Sequence, residues 1–310
     1  MEYQTLLLVI TSLCASILIF VLRKSKQTQN FAKLPPGPKP LPIIGNILQL
    51  GKNPHKTLTN FSNIYGPIMT LKLGTITTIV ISSPQLAKQV LHENSQIFSN
   101  RTVPHASYAT EHYKFSMSWL PLSPPWKKLR RVCATKVLSP KMLDLTKIFR
   151  QQKLQELLDY VKEKGNKGEV FDIGEVVFTT VLNSISNTLF SMDLAHLTHD
   201  EKSKEFGNII WGIMEEAGKP NVSDFFPILR PLDPQGVHAK MTNYMKKLCD
   251  IFDGIIEERI NSRSTKADVV CNDVLDSLLN NNNIGETTSE LSRNEMLHLF
   301  LVSVGFLIIN

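Results

Sequence analysis

The sequence predicts a mainly α-helical protein with a small β-sheet and an N-terminal transmembrane helix, and three observations carry that prediction. Thr5 to Leu22 (TLLLVITSLCASILIFVL) is an uncharged, mostly apolar run of 18 residues, close to what an α-helix needs to cross the hydrocarbon core. Ile68 to Leu73 and Thr77 to Ser82 are rich in β-branched residues, with Gly74 between them, and together they read as a hairpin. Beyond Pro125 apolar residues recur at helical spacing almost to the last residue. A chain of 310 residues that is 42% hydrophobic exceeds the usual single compact domain and has enough apolar surface for a substantial core.

Residues 1–22 are expected to be a membrane anchor. A cleaved signal peptide would carry positive charge ahead of its apolar run, whereas Glu2 is the only charged side chain there. Arg23, Lys24 and Lys26 follow the run instead, so the positive-inside rule puts everything after residue 22 on the cytosolic side. In that orientation the sequons at Asn60, Asn100 and Asn221 never meet the lumenal glycosylation machinery. Residues 23–46 form a basic stop and a Pro-rich hinge. LPPGPKPLPIIGN (Leu34 to Asn46) has five prolines and two glycines, which forbid regular helix and favour stiff, extended chain. It is either a spacer that orients the body against the bilayer or an ordinary boundary loop.

Residues 47–310 form the body. Leu58, Phe61 and Ile64 predict a helix over Pro54 to Tyr65, stopped by Gly66-Pro67. After the hairpin a helix is expected near Gln85 to His92, then an irregular stretch from about Gln96 to Ser123. A loop that long is usually functional or disordered, and Tyr108, Tyr113, Phe115 and Trp119 argue against disorder. Further helices are expected over Trp126–Leu138, Lys141–Glu163, Ile173–Phe190, Asp200–Glu216, Val237–Ser262, Asn272–Leu279 and from Ser292 to the end. Thr198-x-x-Glu201 and Ser292-x-x-Glu295 read as capping boxes. In DFFPILRPLDP (Asp224 to Pro234), Phe225, Phe226, Ile228, Leu229 and Leu232 either pack inward or form an exposed patch that dips into a membrane surface.

Net charge is +6, yet the basic residues are dispersed and no reader motif is present, so no nucleic-acid partner is expected. Cys14, Cys133, Cys249 and Cys271 lie far apart with no C-x-x-C pair, which suits reduced thiols better than a disulfide framework or a zinc site. G-x-G-x-x-G, the P-loop, G-x-S-x-G and H-E-x-x-H are all missing. His196-x-x-His199 has a possible ligand spacing but no third ligand nearby, so no metal site is expected. One helix carries an anomaly: Trp126, Arg130, Cys133 and Val137 share a stripe. An arginine on an apolar stripe either snorkels to water or meets an anion, and its planar fork suits carboxylates, with the Trp126 indole N–H as a further donor.

The anchor, basic stop, L-P-P-G-P-x-P-L-P-I-I-G-N hinge, F-S-N-R (Phe98 to Arg101) and W-x-x-x-R (Trp126 to Arg130), in this order, resemble the microsomal cytochromes P-450. IFSNRTVPHA and SWLPLSPPWKKLRRV are similar to the plant branch that includes terpenoid-oxidising geraniol hydroxylases. The resemblance runs to about Leu301. It implies the N-terminal part of the P-450 fold, haem as cofactor, and hydroxylation of a small apolar, monoterpenoid-type substrate with O₂ and electrons from an NADPH-dependent reductase. It further implies a membrane partner and an endoplasmic reticulum location with the body facing cytosol. Arg101, Trp126 and Arg130 match positions that hold the haem propionates. Val103 to Leu122, with Val103, Trp119 and Leu120, resembles the substrate segment over the haem, and the helices around Ile210, Ile213 and Met214 and around Tyr244 to Leu248 resemble further pocket walls.

After Leu297-His-Leu-Phe-Leu301 the family pattern continues into A-G-x-[DE]-T-T, E-x-x-R and F-x-x-G-x-R-x-C-x-G, whereas this sequence reads VSVGFLIIN. The sequence therefore predicts an incomplete catalytic domain ending in the start of the central long helix, with neither the iron-ligating cysteine nor any catalytic residue, and no competent monooxygenase from these residues alone. Val302-Ser303 fits a translated splice donor, which points to an incomplete gene model. The alternatives are a non-catalytic truncated or pseudogene product anchored in the membrane, and a tethered binding module that uses the apolar pocket without iron.

Overall fold

The computed structural model describes residues 34–195, 201–265, 273–279 and 291–309. The expected anchor with its basic stop, Cys14, Cys271, His196, His199 and Thr198 lie outside the described residues. Among the described residues no helix is long and apolar enough to cross a membrane. The chain forms two compact units, one of the residues up to Ser99 with Val222–Leu232, the other of Asn100–Asn221 with Asp233 onward.

In the first unit, α1 (Pro54–Tyr65) starts with proline at its first position, where no N–H is needed. It stops at Gly66, which takes φ 95°. β1 (Ile68–Leu73) and β2 (Ile76–Ile81) pair antiparallel from Ile68↔Ile81 to Leu73↔Ile76. Met69 and Leu71, two apart and so on one face, are the buried pair. The second strand lies one residue earlier than expected, because the tight turn at Gly74 pairs Ile76 with Leu73, and Ser83 begins the next helix. Its hydroxyl accepts from Leu86 N and caps α2 (Pro84–Lys88), which widens into a π-turn over Gln89–Glu93.

The Pro-rich stretch is strapped to β1. Thr70 N donates to Pro36 O, and Gly45 bridges Leu73. Gly37 and Gly45 allow this approach, since a Cβ there would stand 1.9 Å from Thr70 O and 2.0 Å from Lys72 O. Asn46 sits fully buried at the junction. Its amide donates to Pro38 O and to Gln49 Oε1, and its Oδ1 accepts from Lys72 N at 2.7 Å. The apolar loop divides between its two expected fates. Phe225 and Phe226 are half-buried at the hairpin tip, where Phe225 O accepts from Thr75 N and Oγ1, while Ile228 and Leu232 are exposed.

The second unit is helical. Its labelled elements are α3 (His112–Phe115), α4 (Pro124–Val132), α5 (Lys147–Lys167), α6 (Ile173–Phe190), α7 (Glu201–Gly218), α8 (Val237–Thr265), α9 (Val274–Leu279) and α10 (Arg293–Ile309). The core centres on Phe190, Phe252 and Phe300 from α6, α8 and α10, with ring centroids 4.8–6.0 Å apart. Arg259 binds the buried Asp273 and Asp276 and donates to Phe190 O at 2.7 Å, which joins the ends of α6, α8 and α9. The box at the head of α10 forms: Glu295 N donates to Ser292 Oγ, and Ser292 N to Glu295 Oε2. Lys128 Nζ meets the same carboxylate at 2.8 Å and ties α4 to α10.

Three expected elements differ. The helix expected from Trp126 begins at Pro124, because Ser123 Oγ caps it, and turns π-helical over Cys133–Val137. The helix expected over Lys141–Glu163 is two, Pro140–Leu145 and α5. The break falls at buried Thr146, whose hydroxyl bonds back to Met142 O while Arg150 donates to that hydroxyl and to Leu143 O. The expected irregular stretch contains a 3₁₀ segment, His105–Glu111, and the single turn of α3.

Asn46→Ala removes the side chain that satisfies Lys72 N and the strap carbonyls of Pro38 and Lys39, so it should lower stability in urea unfolding by about 2 kcal/mol. A loss under about 0.5 kcal/mol, the range of ordinary surface changes, would show that the strap does not depend on it.

Candidate functional site

Between Asn100 and Leu122 the backbone makes only short-range turns, such as Ser116 N→His112 O and Leu120 N→Ser116 O. Side chains of neighbouring helices do the rest of the holding. Trp126 of α4 donates its indole N–H to Met117 O at 3.1 Å. Ala106 and Ala109 are buried in a cluster with Val237, Met241 and Met245 of α8. His105 stacks on His238 with centroids 4.9 Å apart, and Thr110 Oγ1 reaches Met245 Sδ. Just ahead of α3, Thr110 and Glu111 take left-handed conformations at φ 48° and 56°.

This segment wraps a cavity of about 480 Å³. Arg101, Val103, Trp119 and Leu120, all singled out in the sequence, line it together. Asn100, Tyr113, Lys114 and Pro121 complete the lining. The wall is thus mostly apolar with cations at its edge, and Lys114 is paired with Glu111. Neither Arg101 nor Arg130 has a carboxylate partner among the described residues. Arg130 is exposed, its guanidinium 5.4 Å from the centre of the Trp126 ring, so it snorkels from the stripe that buries Cys133 and Val137. The Trp126 indole N–H, expected as a donor to an anion, is occupied by Met117 O.

Trp126 and Arg130 are not part of the cavity lining. Nor are the α7 residues: Ile210 is buried in the helical core, and Ile213 and Met214 pack against that core. Ile213 also packs against the Ala106/Ala109 cluster behind the loop. Gly212 lets the Tyr244 ring lie on α7, since a Cβ there would be 2.6 Å from it. Burial raises the Cys133 thiol, and burial with the nearby Asp250 and Asp253 raises that of Cys249 to about 11, so both are protonated thiols at neutral pH.

One feature has almost no local signature in the sequence. His112 of α3 and His298 of α10 are buried, with Nδ1 atoms 2.8 Å apart, and Phe115 stacks on His298 at 5.3 Å and 9°. Burial, and for His112 the neighbouring imidazole, lowers His112 to about 3; burial lowers His298 to about 4 despite a hydrogen bond to the Thr110 backbone. The pair is therefore neutral near pH 7. Its cue in sequence was only a histidine inside the apolar run LHLFL and another 186 residues earlier.

The cytochrome P450 family model matches residues 35–304. Among curated relatives, the chain is 46% identical over 270 residues to cytochrome P450 76T24 of Catharanthus roseus, covering 87% of this chain and 54% of the relative. It is 44% identical over 272 residues to geraniol 8-hydroxylase of the same plant, covering 88% and 52%. It is also 44% identical over 280 residues to a Beta vulgaris protein named inactive cytochrome P450 76AD1, covering 90% and 66%. The chain thus spans about half the length of most curated relatives it matches. The resemblance to plant cytochromes P-450 of the terpenoid branch is borne out.

Acid should unfold the chain through the histidine pair. Unfolded imidazoles bind protons near 6.5, whereas the native pair resists until about 4 and 3. Between those values the unfolded chain holds more protons, so stability falls as pH drops below about 6.5. In urea unfolding from pH 7.5 to 5 the two residues contribute a slope approaching about 2.7 kcal/mol per pH unit, and His112→Asn should remove about half of it. An unchanged slope would refute the assignment.

Proposed function

The chain belongs to the cytochrome P450 family, and from that premise we propose that it supplies the propionate-binding and substrate-facing parts of a haem-dependent monooxygenase acting on a small apolar, terpenoid-type substrate. The observation that carries this reading is the cavity in which Arg101 meets the apolar Val103, Trp119, Leu120 and Pro121. An amphiphilic group with carboxylates at one edge suits such a wall. Arg101 and Arg130, two guanidiniums without carboxylate partners among the described residues, fit the carboxylate edge of haem in type and charge. When bound, haem supplies O₂ activation for hydroxylation of a C–H bond.

The chain's own residues then have distinct tasks. Arg101, in the cavity lining, would bind and orient the cofactor's carboxylates, with Arg130 as a second cation outside that lining. Trp126 acts through the wall, since its indole N–H fixes Met117 and thereby the turn carrying Trp119 and Leu120. Val103, Trp119 and Leu120 exclude water and favour an apolar ligand, and Ile213 backs the loop through the Ala106/Ala109 cluster. Geraniol, named as substrate of one relative, is the natural first ligand to try. An NADPH-dependent reductase is the electron donor of this reading. The location is the endoplasmic reticulum membrane, with the body facing cytosol, and the exposed Ile228 and Leu232 suit contact with its surface.

A second reading, a non-catalytic membrane-anchored relative that binds an apolar ligand, draws on two observations. Cys133 is buried in the helical core and Cys249 packs against it, both as protonated thiols, and neither lines the cavity. One relative is itself named inactive.

Haem titration of the purified chain, followed by Soret absorbance, tests the cofactor site. Arg101→Ala should weaken binding about tenfold, the loss of one charge-assisted hydrogen bond, and unchanged affinity would remove Arg101 from it. Carbon monoxide difference spectra and incubation with reductase, NADPH, O₂ and geraniol separate the two functions. A haem-thiolate band with hydroxylated geraniol supports the monooxygenase; saturable geraniol binding with neither supports the second reading and overturns the first for this chain.

A further inference from the structure

We propose that the His112–His298 pair is a latch that positions the cavity wall, so that the two histidines set which ligand the cavity accepts. The selectivity half rests on reading the cavity as the ligand site; the latch itself does not. Tyr113 and Lys114, which line the cavity, are the two residues between His112 and Phe115 in the single turn of α3. Both ends of that turn are fastened to the same side chain of α10. His112 meets His298 through Nδ1 at 2.8 Å, and Phe115 stacks on its ring at 9°. The backbone of the two wall residues is thus held from both ends by His298, while Tyr113 also packs on Tyr108 and Lys114 pairs with Glu111.

The chemistry of the pair gives it a direction. Both imidazoles are neutral and buried, so each carries one N–H. His298 is hydrogen-bonded to the Thr110 backbone, and the proton it donates there leaves its Nδ1 as an acceptor. His112 Nδ1–H is then the donor between the rings. One residue of α10 thereby grips Thr110, His112 and Phe115 together.

The backbone between these grips is where a latch is needed. Thr110 and Glu111 are left-handed without being glycine, conformations that persist only when the surroundings over-determine them. Released, the turn relaxes toward ordinary φ, and Tyr113 and Lys114 leave the wall. Neutrality matters too: a charged imidazole in this apolar setting would open the latch, which the depressed pKa values defer to well below neutral pH.

The direct test is amide hydrogen exchange on the full 310-residue chain, with a geraniol-binding arm. His112→Leu leaves the His298 Nδ1 without its donor, whereas the Nδ2 amide of His112→Asn replaces it. Exchange at Ser116, Trp119 and Leu120 should accelerate at least about tenfold in His112→Leu, the scale of one orphaned buried polar group, with Leu189 and Phe190 of α6 unchanged. His112→Asn should restore slow exchange. Unchanged exchange in His112→Leu, equal acceleration in α6, or failure of His112→Asn to restore it would overturn the latch. Geraniol affinity, read by tryptophan fluorescence, should fall about tenfold in His112→Leu and return in His112→Asn; unaltered affinity while the wall exchanges fast would overturn its role in selectivity. A wild-type chain that does not bind geraniol would refute the cavity reading and with it the selectivity half, while exchange alone decides the latch.

Discussion

A stretch of more than twenty residues built of short 3₁₀ and single helical turns leaves many backbone groups that side chains or water must satisfy. Asn100 to Leu122 is such a stretch, and its residues line the cavity. Its shape is therefore borrowed from the helices around it. α4 lends the Trp126 indole, α8 the Met245 thioether and the apolar bed under Ala106 and Ala109, and α10 the imidazole of His298. Those helices need rigid positions of their own. The Phe190/Phe252/Phe300 cluster and the Arg259 network fix α6, α8 and α9 against α10, and Lys128 with Glu295 fixes the head of α10 to α4.

The charges follow the same division of labour. Most buried or half-buried ions in the second unit are paired: Arg259 with two aspartates, Lys153 with Asp193, Lys128 with Glu295. Such pairs hold helices in register, and leaving one member unpaired would be strongly destabilising. Arg101 and Arg130 stand outside this scheme, exposed and without carboxylate partners among the described residues. Arg101 lines the cavity, whereas Arg130 lies outside the lining and stacks on Trp126.

Periodic signals made much of the fold legible. The α1 helix, the hairpin and α6 lie at or within a residue of where spacing put them, because Gly66, Gly74 and an Asp172 cap mark their limits. What periodicity missed was made by single side chains. Thr146 breaks a continuous amphipathic pattern by bonding back to Met142 O, and apolar spacing is blind to that. Ser123-Pro-Pro carries the start signal of α4, a cap and an N1 proline, two residues ahead of the Trp126 at which the apolar stripe begins. Of the cavity lining, Arg101, Val103, Trp119 and Leu120 are marked by the family resemblance of their stretch. Tyr113 and Lys114 had no such mark, and the His112–His298 contact spans 186 residues of sequence, a distance at which no local pattern operates. The α7 residues Ile210, Ile213 and Met214 are named by resemblance alone; Ile210 lies in the helical core, and Ile213 and Met214 pack against it.

The central claim is that an aperiodic wall is held as firmly as the helices that hold it. Backbone ¹⁵N relaxation of the amides from Val103 to Leu120, compared with those of α6, measures this most directly. The account predicts order parameters near the rigid value of about 0.85 in both segments. Values below about 0.6 confined to the wall would contradict it, because side-chain anchors that leave the backbone mobile cannot shape a cavity.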